Sequence, residues 1–238
     1  MCQGGNLFMG LFAPGWKSTD TRKACASIAK LRDGNQKQEI IREILNTDQR
    51  LDVRIAALRS VQKDPEFLKE IYRTFDDDTI RSYVFSFLSD SEFKKETLLS
   101  SGYPRYWMIM YLQGEKEFAY DLLSGRKKIR KPDERFWAET VRIIKENYGE
   151  ADKEKLLEIV YSTDCREMIR SICGALDFHH EKDALIRLAG TGLIGPKQFF
   201  DGRKVTWDTE DYIKKCAREL LVNDGYTSDE WNKPLKKG

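Results

Sequence analysis

Apolar positions in this chain recur at helical spacing and fall into paired stripes. After Arg54, Leu58 and Val61 lie on one helical face, and Phe67, Leu68, Ile71 and Tyr72 form an i, i+1, i+4, i+5 stripe on the helix that follows. The same order returns twice. Arg81 precedes Phe85 and Leu88, then Leu98 and Leu99; Arg105 precedes Ile109 and Leu112, then Phe118, Ala119, Leu122 and Leu123. The second stripe begins, or in the middle block would begin, thirteen residues after the arginine, and the block starts lie 27 and 24 residues apart.

Two outer blocks carry the same parts more loosely. Arg22 precedes Cys25, Ile28 and Ala29, with Ile40, Ile41, Ile44 and Leu45 on the next helix; Arg170 precedes Cys173 and Leu176, with Ala184, Leu185, Leu188 and Ala189 after it. A further block, Asp133 to Tyr161, ends in Leu156, Leu157, Val160 and Tyr161, and its origin is either Arg135 or Arg142.

The punctuation fits helix pairs. Asp64-Pro65 sets a capping carboxylate before a proline at the first helical position, where the missing N–H costs nothing. Asp52, Asp78 and Asp164 precede their arginine helices in the same expected role. About six helix pairs, each with an apolar face that only its neighbours cover, predict an all-α fold: a right-handed stacked solenoid. The chain end departs from the pattern. Gln198 to Trp207 places Asp201-Gly202 between two short β-prone runs and reads as a hairpin, after which Asp208 caps a helix running through Val222. The expected organisation is a disordered leader over 1–15, a solenoid over 16–194 and a capping segment, hairpin plus helix, over 195–238.

The blocks LDVRIAAL and DDDTIRSYVFSFL resemble HEAT repeats, in particular short bacterial HEAT-like repeats, over roughly Trp16 to Gly190. The signature is an Asp, then Val or Ile, then Arg, and it recurs. The resemblance implies an α-α superhelix with the arginine helices along a concave surface. It also implies that Asp and Arg side chains tie neighbouring repeats, so that Asp52 with Arg54, Asp78 with Arg81, and Arg170 form a structural ladder. Arg105 departs from the pattern in lacking an acidic partner.

Charge narrows the function classes. With 41 Lys plus Arg against 39 Asp plus Glu the net charge is +2, so no overall field draws the molecule onto nucleic acid. The five cysteines, Cys2, Cys25, Cys165, Cys173 and Cys216, are odd in number and scattered, with no secretory leader; this predicts reduced thiols and a cytoplasmic location. No run approaches the length of a membrane span, and no membrane partner is expected.

Two surfaces stand out as candidates. Tyr106 to Leu112 is apolar throughout, whereas a half-buried helix needs one apolar face. Rotation at helical pitch from Arg105 turns Tyr106, Met108, Ile109 and Leu112 inward and leaves Trp107, Met110 and Tyr111 outward, and Tyr83 and Phe87 hold the equivalent positions one repeat earlier. Such aromatic and Met surfaces mark grooves for a peptide or partner helix. The second surface is the loop GRKKIRKP, where Arg126, Lys127, Lys128, Arg130 and Lys131 offer contacts to phosphates.

Signals for catalysis are weak. GTGLIG matches a dinucleotide fingerprint by letters, but a helical stripe precedes it and Pro196 follows, so it reads as a helix-ending loop. His179 and His180 stand near no nucleophile motif, and Cys165 and Cys173 lack paired zinc spacing. The expectation is a non-catalytic interaction or scaffold module, without cofactor or metal, that binds a protein segment on its concave face. The alternative is a nucleic-acid-binding HEAT-like protein similar to the HEAT-like alkylpurine DNA glycosylases. The Trp-Trp-Asp motif of that family is missing, since no two tryptophans adjoin and Trp207-Asp208 lies outside the repeats.

Overall fold

Arginine-headed helices form because each opens after an extended residue and repeats apolar side chains every third or fourth position. In the computed structural model, which describes residues 14–48, 50–133, 135–190 and 207–232, every regular element is helical and no strand occurs among those residues. The chain clusters into two compact units, Met1–Ser91 and Glu92–Gly238.

The first unit begins with a 3-10 turn, Gly15–Lys17, and continues through α1 (Thr21–Ile28), α2 (Asn35–Thr47), α3 (Leu51–Ser60), α4 (Pro65–Thr74) and α5 (Asp78–Phe87). The arginine helices form one row, α1 against α3 and α3 against α5, while α2 packs on α3 and α4 packs on α5. The second unit is opened by α6 (Ser91–Ser100) and α7 (Tyr106–Met110), followed by α8 (Lys116–Leu123), α9 (Phe136–Glu146), α10 (Asp152–Ser162), α11 (Arg166–Phe178), α12 (Lys182–Ala189), α13 (Trp207–Asn223) and α14 (Ser228–Asn232). Its first row is α7, α9, α11 and α13, each packed on the next, with α8 on α9, α10 on α11 and α12 on α13.

The burial register confirms the arginine origin in three blocks. Around Arg54 the core takes Val53, Ala57, Leu58 and Val61; around Arg81 it takes Ile80, Val84, Phe85 and Leu88; around Arg105 it takes Pro104, Met108, Ile109 and Leu112. Each set is the residue before the arginine and the third, fourth and seventh after it. Each full burial of a large apolar side chain is worth about 1.5–3 kcal/mol, so this face sets the stack. Tyr106, expected inside with this set, is only half-buried.

The same register overturns two expectations. In α9 the buried set is Phe136, Thr140, Val141 and Ile144, which puts Trp137 at the origin of the block, neither Arg135 nor Arg142. In α11 the set is Met168, Ile172, Cys173 and Leu176, so the origin is Ile169 and Arg170 is shifted one position onto the exposed side. Thr140 is accommodated in the core because its hydroxyl donates to the Phe136 carbonyl at 2.8 Å.

Capping follows one expectation and corrects four. Asp64 accepts the Phe67 N–H at 3.1 Å with Pro65 at the first helical position, as the sequence predicts. The cap of α5 is Asp77, which accepts the Ile80 N–H at 3.0 Å, while Asp78 is already helical. Asp52 lies inside the first turn of α3, after Arg50 at the cap, and α11 is capped at Cys165, one residue beyond Asp164. The C-terminal helix is present, but it starts at Trp207, so Asp208 falls within its first turn. The hairpin over Gln198 to Trp207 otherwise lies outside the described residues, as do the leader through Ala13 and the GTGLIG loop beyond Gly190.

A second set of links, at the opposite helix ends, is made by lysines. Lys37 of α2 donates to the Ser60 carbonyl at the end of α3 at 2.6 Å, Lys94 of α6 reaches the Tyr111 carbonyl after α7 at 3.4 Å, and Lys116 of α8 donates to the Asn147 carbonyl after α9 at 2.7 Å. Where the carbonyl is replaced by a carboxylate the geometry persists: Lys69 of α4 pairs with Asp90, Lys153 of α10 with Glu181 and Asp183, and Lys182 of α12 with Asp224. Each cation therefore sits at the negative end of the next first-row helix, where the unsatisfied carbonyls and the helix dipole favour positive charge. Lys94 also resolves the gap in the middle block. It stands thirteen residues after Arg81, where the flanking blocks have Phe67 and Phe118, and its buried stem fills the stripe position while its ammonium reaches out.

Candidate functional site

The expected aromatic strip is carried by α5 in the first unit and α7 in the second. On α5, Tyr83 and Phe87 are half-buried, with ring centroids 6.4 Å apart and planes tilted by 32°. On α7, Met108 and Ile109 fill the core, while Trp107 and Met110 are half-buried and Tyr111 is 37% exposed. The outward face read from the sequence is thus the accessible one in each helix. Lys94 holds Tyr111 from beneath, its ammonium 5.8 Å from the ring centroid and bonded to the backbone carbonyl of the same residue.

The basic loop is also accessible. Arg126, Lys127, Lys128, Arg130 and Lys131 are all exposed. Arg126 is partly neutralised by Asp121, to which its Nε donates at 2.7 Å, and the Lys127 N–H donates to the Asp121 carbonyl at 2.9 Å. The ammonium of Lys127 lies 5.8 Å from the Phe118 ring.

The ladder residues are partly reassigned by geometry. Arg54 reaches the neighbouring repeat, but its partner is the cap Asp77 at 2.9 Å, one residue before the expected Asp78. The Arg54 Nε is buried without a hydrogen-bond partner among the described residues. Arg81 turns back towards the preceding helix pair, donating to Asp76 at 2.8 Å and to the Tyr72 carbonyl of α4 at 3.2 Å, so it too joins neighbouring pairs, with Asp76 and not Asp78 as its carboxylate. Asp52 is exposed in the first turn of α3. Its expected work is done by Arg50, which grips Asp48 with two nitrogens and donates to the Ser18 and Thr19 carbonyls ahead of α1. Arg170 is on α11, which packs on α13, and charge interaction and hydrogen bonding with Tyr212 of α13 favour its charged form.

One buried polar cluster escaped the sequence reading. Asp152 is almost fully buried at the start of α10 and accepts from the Tyr120 hydroxyl at 2.9 Å, the Gly149 N–H at 2.6 Å and the Lys116 ammonium. Burial pushes its carboxyl up, but these three donors outweigh burial and hold it below the usual carboxylate range. The Tyr120 phenol is pushed up by burial and by the adjacent carboxylate. Beside this cluster Tyr148 stacks on His179 at 4.0 Å and donates to Glu181 at 3.2 Å, while His179 also meets the Phe178 ring edge-on at 5.1 Å and its Nε2 lies 2.8 Å from the Lys145 carbonyl. These hydrogen bonds and the ring stack tie α8, α10 and the end of α11 together.

Cys173 is buried, and burial together with the Cys216 thiol beside it pushes its pKa well up, which removes the thiolate a nucleophile requires. Among the described residues no group of three His, Cys, Asp or Glu side chains converges as a metal site. No helix among them is long and apolar enough to cross a membrane.

No family model, curated protein or solved structure matches this chain.

Proposed function

We propose that the chain is a non-catalytic interaction module whose helix pairs stack, within each unit, with the right-handed superhelical sense of the HEAT-like repeats they resemble, and that its accessible aromatic side chains bind a protein segment along the concave face of the first-row helices. The observation that carries this reading is α7. A helix of five residues supplies Met108 and Ile109 to the core and leaves Trp107 and Met110 half-buried, with Tyr111 exposed just after it. Aromatic and Met side chains held in place at a surface supply large contact area at low entropic cost. Tyr83 and Phe87 give α5 a surface of the same composition.

The test is affinity capture from native lysate, run with and without nuclease, using the wild-type protein and a Trp107→Ala, Tyr111→Ala double variant whose helicity is checked by circular dichroism. A discrete protein retained by the wild type in both arms and lost by the folded double variant supports the reading. Retention unchanged by the double substitution removes the assignment of the patch. Material retained only without nuclease moves the function to nucleic acid and the Arg126 to Lys131 loop.

A further inference from the structure

The basic loop does not hang free, and the place where it is anchored is aromatic. After α8 it turns at Gly125, whose φ is 72°, and at Lys131, whose φ is 36°, and then returns to the segment before α7. There the Asp133 N–H donates to the Pro104 carbonyl at 3.1 Å, while the Asp133 carboxylate accepts the Tyr106 N–H at 2.6 Å and the Arg135 N–H at 3.1 Å. On the two sides of Pro104 stand two tyrosine and arginine pairs. The Arg105 guanidinium lies 4.8 Å from the Tyr103 ring, which is half exposed, and the Arg135 guanidinium lies 5.7 Å from the half-buried Tyr106 ring.

We propose that this surface, formed by Tyr103, Arg105, Tyr106, Arg135 and the cations of the Arg126 to Lys131 loop, binds single-stranded nucleic acid. The loop's five cations and the two arginines bring seven positive charges to one place in a chain whose net charge is only +2, so the concentration is local and not a result of general basicity. Three acids offset part of this charge, Asp121 paired with Arg126, Asp133 bonded to two backbone N–H groups, and Glu134 by sequence, so a positive excess remains. Cations alone would suit any polyanion. What selects a single strand is the exposed ring of Tyr103 and the guanidinium planes beside it, because unpaired bases present flat faces that stack on both. A duplex hides those faces and engages only the cations. An acidic peptide would satisfy the charges and leave the rings with no matching partner.

Fluorescence anisotropy of the full chain decides the point, with a labelled mixed-sequence single-stranded oligonucleotide, the same sequence as a duplex, and inorganic polyphosphate as probes at low and moderate salt. The expected result is tightest binding to the single strand, weakening as salt rises. Tyr103→Ala lowers that affinity at least about fivefold while Tyr103→Phe retains it and duplex binding is unchanged, because stacking on an aromatic ring carries this part of the affinity. A Lys128→Gln, Arg130→Gln variant, altered only at exposed positions, weakens all three probes and flattens the salt dependence. Equal binding of the three probes with no response to Tyr103→Ala overturns the proposal, as does an absence of single-strand binding at low salt.

Discussion

The buried ammonium of Lys37 lies 2.6 Å from the Ser60 carbonyl oxygen and 2.8 Å from an Asp33 carboxylate oxygen, joining the start of α2 to the end of α3. The side chain thus works as stem and tip: the methylenes pack in the first unit's core, and the charge meets the Ser60 carbonyl while backbone N–H groups close those of Leu58 and Arg59.

Replacing Lys37 by Met keeps the stem and removes the tip. The Ser60 carbonyl then loses its donor, and the expected cost is about 1–3 kcal/mol, read as a lower denaturant midpoint. A change smaller than a few tenths of a kcal/mol would show that water replaces the ammonium without penalty.

Asp77 carries two jobs, capping α5 and pairing with Arg54, whereas Asp52 is exposed within a first turn. Asp77→Ala is expected to destabilise by about 1–3 kcal/mol, through the lost cap and the stranded arginine. Asp52→Ala should cost under about 1 kcal/mol, the value of a carboxylate near a helix N-terminus. Equal losses in the two variants would return Asp52 to the ladder.

Asp152 makes stability depend on acid. Its folded-state pKa lies below the unfolded value of 3.8, so its contribution is fully present above that pH and is lost as pH falls through the lower folded value. Urea midpoints measured from pH 5 down to pH 2 should therefore fall less steeply in Asp152→Asn than in the wild type. Parallel acid limbs in the two proteins would show that Asp152 is not held ionised by Lys116, Gly149 and Tyr120.

Cysteine labelling gives a fourth expectation. Cys25 is partly accessible, with its thiol 3.7 Å from the Asp52 carbonyl, and Cys173 is buried with a raised pKa. A thiol reagent applied to the native protein should modify Cys25 first and reach Cys173 only at the rate of unfolding. Labelling of both at one rate would mean that α11 opens far more readily than its packing implies.

Much of this arrangement is legible in the sequence where one periodicity carries it. The inward set Met108, Ile109 and Leu112 follows from helical rotation, and Asp64-Pro65 marks its helix start because the cap and the proline agree. The signal fails where neighbours compete for one role. Asp76, Asp77 and Asp78 are chemically alike, and only backbone geometry selects Asp77 as the cap while leaving Asp76 to Arg81. In the Asp133 to Tyr161 block two arginines flank Trp137, whose large apolar side chain stands where the Arg54, Arg81 and Arg105 blocks have a cation. The lysine links were hidden for a different reason: they join residues 17, 23 and 31 apart, and no fixed spacing reveals them. The tyrosine and arginine pairs around Pro104 were visible as YPRYW, but their tie to the basic loop depends on Asp133, which lies 27 residues from its partner Tyr106.

The lysine links also give the repeats an arrow. Each ammonium belongs to one pair and the group that receives it belongs to the next, so deletion from the two ends of a unit is not equivalent. Losing the preceding pair exposes a carbonyl or carboxylate that water can hydrate, but losing the following pair strands a lysine held among apolar side chains, as Lys94 is in α6. A repeat array wired in this way tolerates shortening from its beginning better than from its end.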